Sequence, residues 1–441
     1  MSNGVETRIL AARMVQAIVF DGRSLKAVLK ESLSQLDDSR DRALAEAILM
    51  AVVRNARRYA LGLDSMMARP LGRRDTDLRS LLYVGMAQLL ELQLPTHAAL
   101  ATTVDAAHAM RRTRQSGMVN AILRRLQREG LPEQDAMWEW PDFLRNAVIE
   151  AYPDQAAEVF ARSAQQAPLF LRVNARRGTR AAYLQRLADA DIEARAVAAD
   201  PYAVQLTTSL SMQQLPGFAE GDVSVQDLSA QLVTPLLDVE EHMSVFDACA
   251  APGGKTASLL ERFAPKRLVA TDNNARRVQQ IRETLQRTVG DLPGVEVLLE
   301  DARKFHDGRH FDRILMDAPC SGTGVVRRQP DILLHRRPDD LEALVTTQWE
   351  LLNHAWNLLQ PGGVLVYATC SILPAENAEQ IAAFVRRHAD ASCEPPSDAD
   401  VYGMPILIED WYCGHQRLPG DLDADGFFYA RLRKSHPGEA A

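Results

Sequence analysis

The chain has 441 residues, of which 46% are hydrophobic and 24% are charged. This length predicts two or three domains, and the composition is that of an ordinary globular protein. The formal net charge is -8, so overall basicity does not indicate a nucleic-acid partner. The five cysteines lie in the second half without CxxC spacing, which argues against a zinc site and against a secreted disulfide framework.

The N-terminal stretch MSNGVETRILAARMVQAIVF has apolar residues at helical intervals, with Arg8 and Arg13 inside the run. This pattern predicts an amphipathic helix rather than a signal peptide or a membrane span. Together with the cysteine spacing it favours a reduced, cytoplasmic protein. The ten His residues show no metal-ligand spacing, so no metal is expected.

Residues 1–140 are predicted to be all-helical, because apolar positions recur at i, i+3 and i+4 and no alternating strand pattern competes. Pro95 and Gly117 are predicted to break the helices. This region holds 20 Lys and Arg against 16 Asp and Glu. Five Arg residues lie within 111–126, on a helix and its approach. They form either a solvated helix face or a surface for the RNA backbone, and the pattern leaves both open.

Residues 141–235 are predicted to form a small α/β connector. It contains a helix around FLRNAVIEAY, a strand over PLFLRVN (168–174) and a helix around TRAAYLQRLADA. Four arginines cluster in it and are candidates for contacts with RNA phosphates: Arg172, Arg176, Arg177 and Arg180.

Residues 236–434 alternate short apolar strands with helices, a pattern that predicts a parallel, doubly wound, Rossmann-like sheet. A tail, 435–441, follows. FFYARLR (427–433) alternates like a half-exposed strand. The other predicted strands are SVFDAC (244–249), RLVATD (267–272), GVEVLLED (294–301), FDRILMD (311–317) and GGVLVYATC (362–370).

The first of these strands leads into DACAAPGGKT (247–256). A glycine pair between strand and helix lets the backbone approach a ligand closely, although this turn is neither a P-loop nor GxGxxG. The second and third strands are predicted to end in Asp272 and Asp301. Each acid alone is more often a helix N-cap. A glycine turn followed by acids at successive strand ends predicts an adenosyl ligand.

Cys320 (DAPCSG) and Cys370 (YATCSI) follow the fourth and fifth strands. A lone cysteine at a strand end is usually a packing residue, but two in polar loops at one sheet edge suggest chemistry. A thiolate that adds to C6 of cytosine makes C5 enamine-like and nucleophilic. Taken alone, Cys320 looks like this nucleophile. Asp317 is placed to hydrogen-bond the N3/N4 edge of the ring, and Lys255 to contact cofactor or ring.

The motifs DACAAPGGK, DAPCSGTG, YATCS and DGFFYARLRK together resemble the RNA cytosine-5 methyltransferases of the NOL1/NOP2/Sun group. The resemblance covers about 236–434, and RVN (172–174), RRQPDILLHRR (327–337) and Gln348 match as well. The helical region, with its GMVNAILRRL, resembles the NusB-type RNA-binding domain. This combination indicates the Sun/Fmu branch, whose members act on small-subunit ribosomal RNA.

The resemblance implies methylation of C5 of a cytosine in 16S ribosomal RNA, with S-adenosyl-L-methionine as cofactor. Cys370 would bond C6, and Cys320 would assist the elimination that frees the product. Asp272 would lie on the ribose, Asp301 near the adenine, and Asp317 near the methionine end and the target base. The cofactor would lie along a turn in which Cys249 contributes backbone while its side chain packs: Cys249, Ala250, Ala251, Pro252, Gly253, Gly254 and Lys255.

Two other functions stay open. One keeps the chemistry but changes the substrate to tRNA. The other is an RNA-binding factor of antitermination type with an inactive methyltransferase domain. DNA cytosine methylation is disfavoured, because those enzymes use the PC-motif cysteine and lack the TCS cysteine. The expected partner is 16S rRNA, free or partly assembled, with no membrane and no obligate protein partner.

Overall fold

The computed structural model describes residues 3–208, 210, 212–394 and 414–438. The chain divides into two compact units. The first runs to Ala164 and also takes in Val326–Arg336, and the second contains Gln165–Val325 and the chain from Arg337 onward. This division differs from the predicted boundary near 140.

The first unit is all-helical in its described residues, as predicted. Helix α5 is its centre, because ten of its residues are buried and they lie on every side of the helix. Pro95 precedes α6 as expected, whereas Gly117 lies inside α7, since the break is made earlier by a 3₁₀ turn at Thr113–Gln115. The helices are α1 (Asn3–Val15), extended by a π-helical turn (Gln16–Phe20), α2 (Leu25–Ser32), α3 (Ser39–Arg54), α4 (Ala56–Ser65), α5 (Thr76–Leu90), α6 (Thr96–Ala109), α7 (Ser116–Glu129), α8 (Asp142–Ala151) and α9 (Ala156–Ala164).

The arginines of 111–126 are not all available to RNA. Arg112 donates to both oxygens of Asp77, at 2.9 and 2.6 Å, and to Asp75 at 3.1 Å. These ion pairs connect the segment that precedes α7 to the start of α5. Arg112 therefore has a structural role, while Arg111 and Arg114 stay exposed.

The second unit begins with a small antiparallel sheet in the order β2-β3-β1-β4. Only β1 was predicted, because the other three strands have three or four residues and are too short to show a period. The elements of this part are β1 (Leu169–Val173), α10 (Arg180–Ala188), β2 (Ala194–Ala196), β3 (Ala203–Leu206), β4 (Val223–Val225) and α11 (Leu228–Gln231).

The larger sheet has the order β10-β12-β9-β8-β5-β6-β7, with β11 also pairing to β12. Strands β9, β8, β5, β6 and β7 are parallel, which confirms the Rossmann-like prediction. The elements are β5 (Ser244–Asp247), α12 (Gly254–Arg262), β6 (Arg267–Asp272), α13 (Ala275–Thr288), β7 (Val295–Leu299), β8 (Phe311–Asp317), α14 (Ile332–His335), α15 (Pro338–Leu358), β9 (Leu359–Thr369), α16 (Ala378–Arg387), β10 (Ala391–Cys393), β11 (His415–Arg417) and β12 (Phe427–Lys434).

Strand β12 departs from its prediction. It was expected to be half exposed, but its residues from Phe427 to Leu432 are buried. The reason is its position: β12 pairs with β9 along one edge and with β10 and β11 along the other. The strand order reverses at β5, between β6 and β8, and ligands of such sheets bind at the carboxyl ends of the strands flanking this point.

The segment that contains α14 belongs to the helical unit, although its sequence lies within 236–434. The Asp331 carboxylate accepts a hydrogen bond from Leu25 N at 2.9 Å, at the start of α2. Arg54 donates to the Arg327 carbonyl at 3.1 Å, and His335 Nε2 lies 2.9 Å from the Ile18 carbonyl oxygen. The helical unit is therefore built from two separate stretches of chain.

Arg172 joins the small sheet to α12. Its guanidinium is fully buried and forms two 2.9 Å hydrogen bonds with the carboxylate of Glu261. It also donates to the Gly254 carbonyl at 2.9 Å, in the first turn of α12. Arg180 donates to the carbonyls of Val197 and Asp200, both at 2.6 Å. Of the four candidate arginines, fully buried Arg172 is therefore not available to an RNA phosphate, whereas Arg180 is half-buried.

We expect Arg172→Met to lower the free energy of unfolding by about 3–5 kcal/mol, because it leaves the Glu261 carboxylate buried without its cation. Urea unfolding measures this change. The exposed pair Arg195–Asp423, 3.1 Å apart, is the control, and Arg195→Met should change stability by less than about 1 kcal/mol. Replacing Arg172 and Glu261 together by Met should recover much of the loss, and no recovery would contradict the ion-pair explanation.

Asp247, at the end of β5, is a second buried ionisable group. Thr256 Oγ1 donates to its Oδ2 at 2.7 Å, while its Oδ1 has no hydrogen-bond partner. Burial raises the pKa of Asp247 from an ordinary 3.8 to about 7. Between these values the unfolded chain has released the proton and the folded chain retains it, so this group lowers stability as pH rises.

We therefore expect wild type to lose stability relative to Asp247→Asn as pH rises from about 4 to about 7, with a constant difference above that range. Urea-unfolding midpoints of both proteins across this pH range test the expectation. Exposed Asp291 provides the control, since the profile of Asp291→Asn should follow that of wild type. Parallel profiles for wild type and Asp247→Asn would show that Asp247 is ionised throughout.

Candidate active site

The turn after β5 is held by one backbone hydrogen bond to β6 and another within the turn itself. Ala250 N donates to the Thr271 carbonyl at 2.9 Å, and Gly253 N donates to the Ala250 carbonyl at 2.7 Å. Gly253 has φ +95°, and a Cβ at this position would lie 3.0 Å from the Cα of Ile281 in α13. Glycine is therefore required here by both backbone conformation and helix packing.

Lys255 and Asp317 are brought together, as the sequence suggested for residues of one site. Lys255 Nζ lies 2.6 Å from Asp317 Oδ2, with the lysine side chain 12% exposed and the aspartate 27% exposed. The ammonium also lies 5.3 Å from the ring centre of Phe427, a residue to which the sequence gave no role. This arrangement keeps a charged pair at the ends of β5 and β8, partly open to solvent.

Asp272 lies at the end of β6 with its side chain 3% exposed. Its Oδ1 accepts from Asn274 N at 3.0 Å, and its Oδ2 lies 3.3 Å from Arg277 Nη2. Arg277 also reaches the Ala251 carbonyl at 3.4 Å. The Asp272 carboxylate is thus fixed between the turn after β5 and the start of α13.

Asp301 differs from its prediction, because β7 ends at Leu299 and Asp301 lies in the following loop. Arg303 donates to its two oxygens, at 3.0 Å from Nε and 2.7 Å from Nη2. These hydrogen bonds hold the pKa of Asp301 below its ordinary value. An adenine amino group would have to share this carboxylate with Arg303.

The two predicted thiols meet. Cys320 follows β8 and Cys370 follows β9, which are adjacent parallel strands with Asp317 opposite Ala368. Their Sγ atoms lie 3.3 Å apart, and neither forms a disulfide. The hydrogen bond to Cys370, then burial, raises the pKa of the Cys320 thiol. Cys320 therefore retains its proton, and its S–H can donate to the sulfur of Cys370.

The remaining cysteines do not enter this pair. Cys249 packs against the aromatic and aliphatic core under the sheet, and burial raises the pKa of its thiol, so it is a weak nucleophile. Cys393, in β10, packs against the same core. Cys413 lies outside the described residues.

Glu376 is the site residue that sequence reasoning missed. It is fully buried, and its carboxylate lies between the loops of the two cysteines. Two signals were available: an acid directly after the apolar run ILPA (372–375), and a serine after each cysteine. Buried acids need several donors, and these serines supply them.

Among the residues that the structure describes, no group of three or more His, Cys, Asp or Glu is arranged to hold a metal ion. Within the same described ranges, no helix has both the length and the apolar character needed to cross a membrane.

Three family models match successive parts of the chain. Residues 5–128 match the NusB family, residues 140–213 match the ferredoxin-like domain of RsmF/B-like methyltransferases, and residues 234–433 match the 16S rRNA methyltransferase RsmB/F. The structure titled PH0851 has a TM-score of 0.81 at 22% identity, covering 98% of each chain. NSun6 from Pyrococcus horikoshii, solved with SFG, has a TM-score of 0.59 at 21% identity, over 67% of this chain and 99% of that one. Both likenesses show the fold.

Several relatives that match almost the whole chain carry the name ribosomal RNA small subunit methyltransferase B. The protein of that name from Xanthomonas campestris pv. campestris is 48% identical over 98% of each chain. The one from Serratia proteamaculans is 39% identical over 98% of this chain and 100% of its own. At this identity and coverage, the chain belongs to the ribosomal RNA small subunit methyltransferase B family.

Proposed function

We propose that this protein methylates C5 of a cytosine in 16S ribosomal RNA through a covalent bond between Cys370 and C6. The observation that carries the proposal is the pair of thiols, with Cys320 Sγ 3.3 Å from Cys370 Sγ. Enzymes that methylate an amino group or an oxygen have no need of such a pair. The choice of small-subunit RNA is taken from the names of the relatives.

The residues around the β5 turn fit S-adenosylmethionine. Asp272 offers an acceptor carboxylate at the end of β6, where ribose hydroxyls bind in this class of sheet. Asp301 is the proposed contact for the adenine. When bound, S-adenosylmethionine supplies the electrophilic methyl group that C5 receives.

Cys370 is the proposed nucleophile. Its thiolate forms a bond to C6, and the electrons of the C5–C6 double bond move to C5, which becomes nucleophilic. Asp317 accepts a hydrogen bond from the amino group of the base through Oδ1, because Lys255 occupies Oδ2 at 2.6 Å. This contact orients the ring and identifies it as cytosine.

Cys320 is the proposed aid to product release. After methyl transfer a base removes the C5 proton, the C5–C6 double bond re-forms, and the bond from C6 to Cys370 breaks. The departing sulfur carries the electron pair. Cys320 retains its proton because its pKa is raised, so it can transfer that proton to the departing sulfur, which a serine hydroxyl is far too weak an acid to do. Without this help the covalent adduct should persist.

A cytosine that is stacked in a helix hides C6 from any thiol, so the target must be unstacked before reaction. This requirement favours naked or partly assembled ribosomal RNA as substrate. The exposed arginines Arg111 and Arg114 of the helical unit are candidates for phosphate contacts that position it.

We expect Cys370→Ser to abolish methylation and to form no adduct, because a hydroxyl is a far weaker nucleophile than a thiolate. Cys320→Ser should instead accumulate a covalent protein–RNA complex. The measurement is incubation of rRNA with S-adenosylmethionine, followed by denaturing gels for adducts and mapping of 5-methylcytosine.

The matched control is Cys320→Ser combined with Cys370→Ser, which should lose the adduct because its nucleophile is gone. A trapped adduct in Cys370→Ser would assign the attack to Cys320 instead. Modification of tRNA but not rRNA in parallel reactions would favour the tRNA alternative, and cofactor binding without transfer to either RNA would favour an inactive binding factor.

We expect Asp272→Ala to weaken S-adenosylmethionine binding about 10–100-fold, because hydrogen bonds to a charged group are worth about 1.5–3 kcal/mol. Isothermal titration calorimetry measures the dissociation constant. Asn274 caps α13 through the amides of Arg276 and Arg277, so Asn274→Ala controls for loosening of that helix. Equal losses in both variants would mean that Asp272 acts only on the helix.

A further inference from the structure

The carboxylate of Glu376 is buried and receives four hydrogen bonds. Its Oε1 accepts from Ser321 N at 2.8 Å and from Gln348 Nε2 at 3.0 Å. Its Oε2 accepts from the hydroxyls of Ser321 and Ser371, both at 2.5 Å. Such short bonds to an acid in the interior are charge-assisted and stronger than neutral ones.

These donors belong to the two loops that carry the thiols. Ser321 follows Cys320 and Ser371 follows Cys370, so one carboxylate is bonded to both loops at the residue next to each cysteine. Thr323 adds a second link, since its hydroxyl lies 3.2 Å from Ser371 Oγ and accepts from Ile372 N at 3.0 Å.

The position of Glu376 is itself fixed by neighbouring groups. Its backbone carbonyl accepts from the buried Tyr367 hydroxyl at 2.6 Å, in β9. Gln348, which also donates to Glu376, bonds the Pro319 carbonyl at 2.8 Å, just before Cys320. The acid is thus held between β9, α15 and the loop after β8, and it has little freedom to move.

We propose that Glu376 is a positioning residue for methyl transfer, which sets the relative placement of the Cys320 and Cys370 thiols by holding both of their loops on one buried carboxylate. The inference rests on the proposed covalent mechanism, in which both thiols act on one base. Glu376 acts through the two serines and is not assigned contact with the reacting atoms.

A charge in this place has an effect that a neutral link would not have. Two thiols 3.3 Å apart can share one proton, and a nearby negative charge disfavours a second negative charge on the pair. The Glu376 carboxylate contributes to the raised pKa of Cys320. Glu376 therefore acts on the distance between the sulfurs and adds to the retention of the proton by Cys320, after the larger effects of the Cys370 hydrogen bond and burial.

The test compares Glu376→Gln with wild type. Glutamine keeps the size but offers one acceptor oxygen and turns an amino group towards the two serine hydroxyls. We expect kcat to fall about 100-fold, the usual consequence of misplacing reacting groups by about 1 Å. The dissociation constant of S-adenosylmethionine should stay unchanged, because the contacts of Glu376 lie in the cysteine loops.

A second readout follows the thiols directly. Dibromobimane becomes fluorescent when it alkylates two neighbouring thiols, and the wild-type pair should cross-link readily. Glu376→Gln should cross-link more slowly, whereas a residue that only stabilises the fold would change the melting temperature and leave this rate as it is. Glu379, exposed in the first turn of α16, provides the control, and Glu379→Gln should match wild type in both assays.

Ser371→Ala keeps the proposal testable if Glu376→Gln does not fold, because it removes one donor and leaves the acid in place. Ser371→Ala should also show a lower kcat and slower cross-linking of the two thiols, but both effects should be smaller than in Glu376→Gln. The proposal would be overturned if folded Glu376→Gln kept both the kcat and the cross-linking rate of wild type. If Glu376→Gln does not fold, the same result in Ser371→Ala would overturn it. Loss of S-adenosylmethionine binding in parallel with kcat would also overturn it. The cross-linking assay needs no RNA, so it judges Glu376 even if wild type fails to methylate cytosine.

Discussion

The parallel pairing of β8 with β9 is the constraint on which the site depends. It sets Asp317 opposite Ala368, so the loops that follow both strands leave the sheet side by side. Residues far apart in the sequence then meet, with Cys320 Sγ 3.3 Å from Cys370 Sγ. Because β5 pairs with the other edge of β8, the Lys255–Asp317 ion pair forms at the same sheet edge. The chemistry thus follows from strand order rather than from any local motif.

Buried charges reinforce this arrangement in two places. Arg172 connects the small sheet to Glu261 and to the Gly254 carbonyl, which fixes the start of the helix that carries Lys255. The buried Glu376 carboxylate accepts hydrogen bonds from Ser321 and Ser371 and so joins the two cysteine loops. A buried ion is costly unless every lone pair or proton is bonded, so both groups restrict their surroundings to one arrangement. Neither needs to touch the substrate to influence the reaction.

The larger sheet could be predicted from the sequence, because long apolar strands such as β6 and β8 alternate with amphipathic helices. The short strands of the connector could not, since three residues carry no period. The thiol pair could be predicted because both cysteines follow strands of the same sheet. The role of Glu376 could not, because it depends on contacts with residues that are distant in the sequence. The count of arginines could not tell which of them pair with acids of the same chain, as Arg112 and Arg172 do, because a charge count carries no information about distant partners.

The short segment Val326–Arg336 is synthesised long after the rest of the helical unit to which it belongs. The unit otherwise ends at Ala164, yet the carboxylate that accepts the Leu25 amide belongs to Asp331. A nascent chain that has emerged only as far as α9 therefore lacks part of that unit. Its helices can associate early, but the hydrogen bonds that this segment makes with them can form only after the loop after Cys320 has left the ribosome. The helical unit is thus first in sequence order and among the later parts of the molecule to be completed.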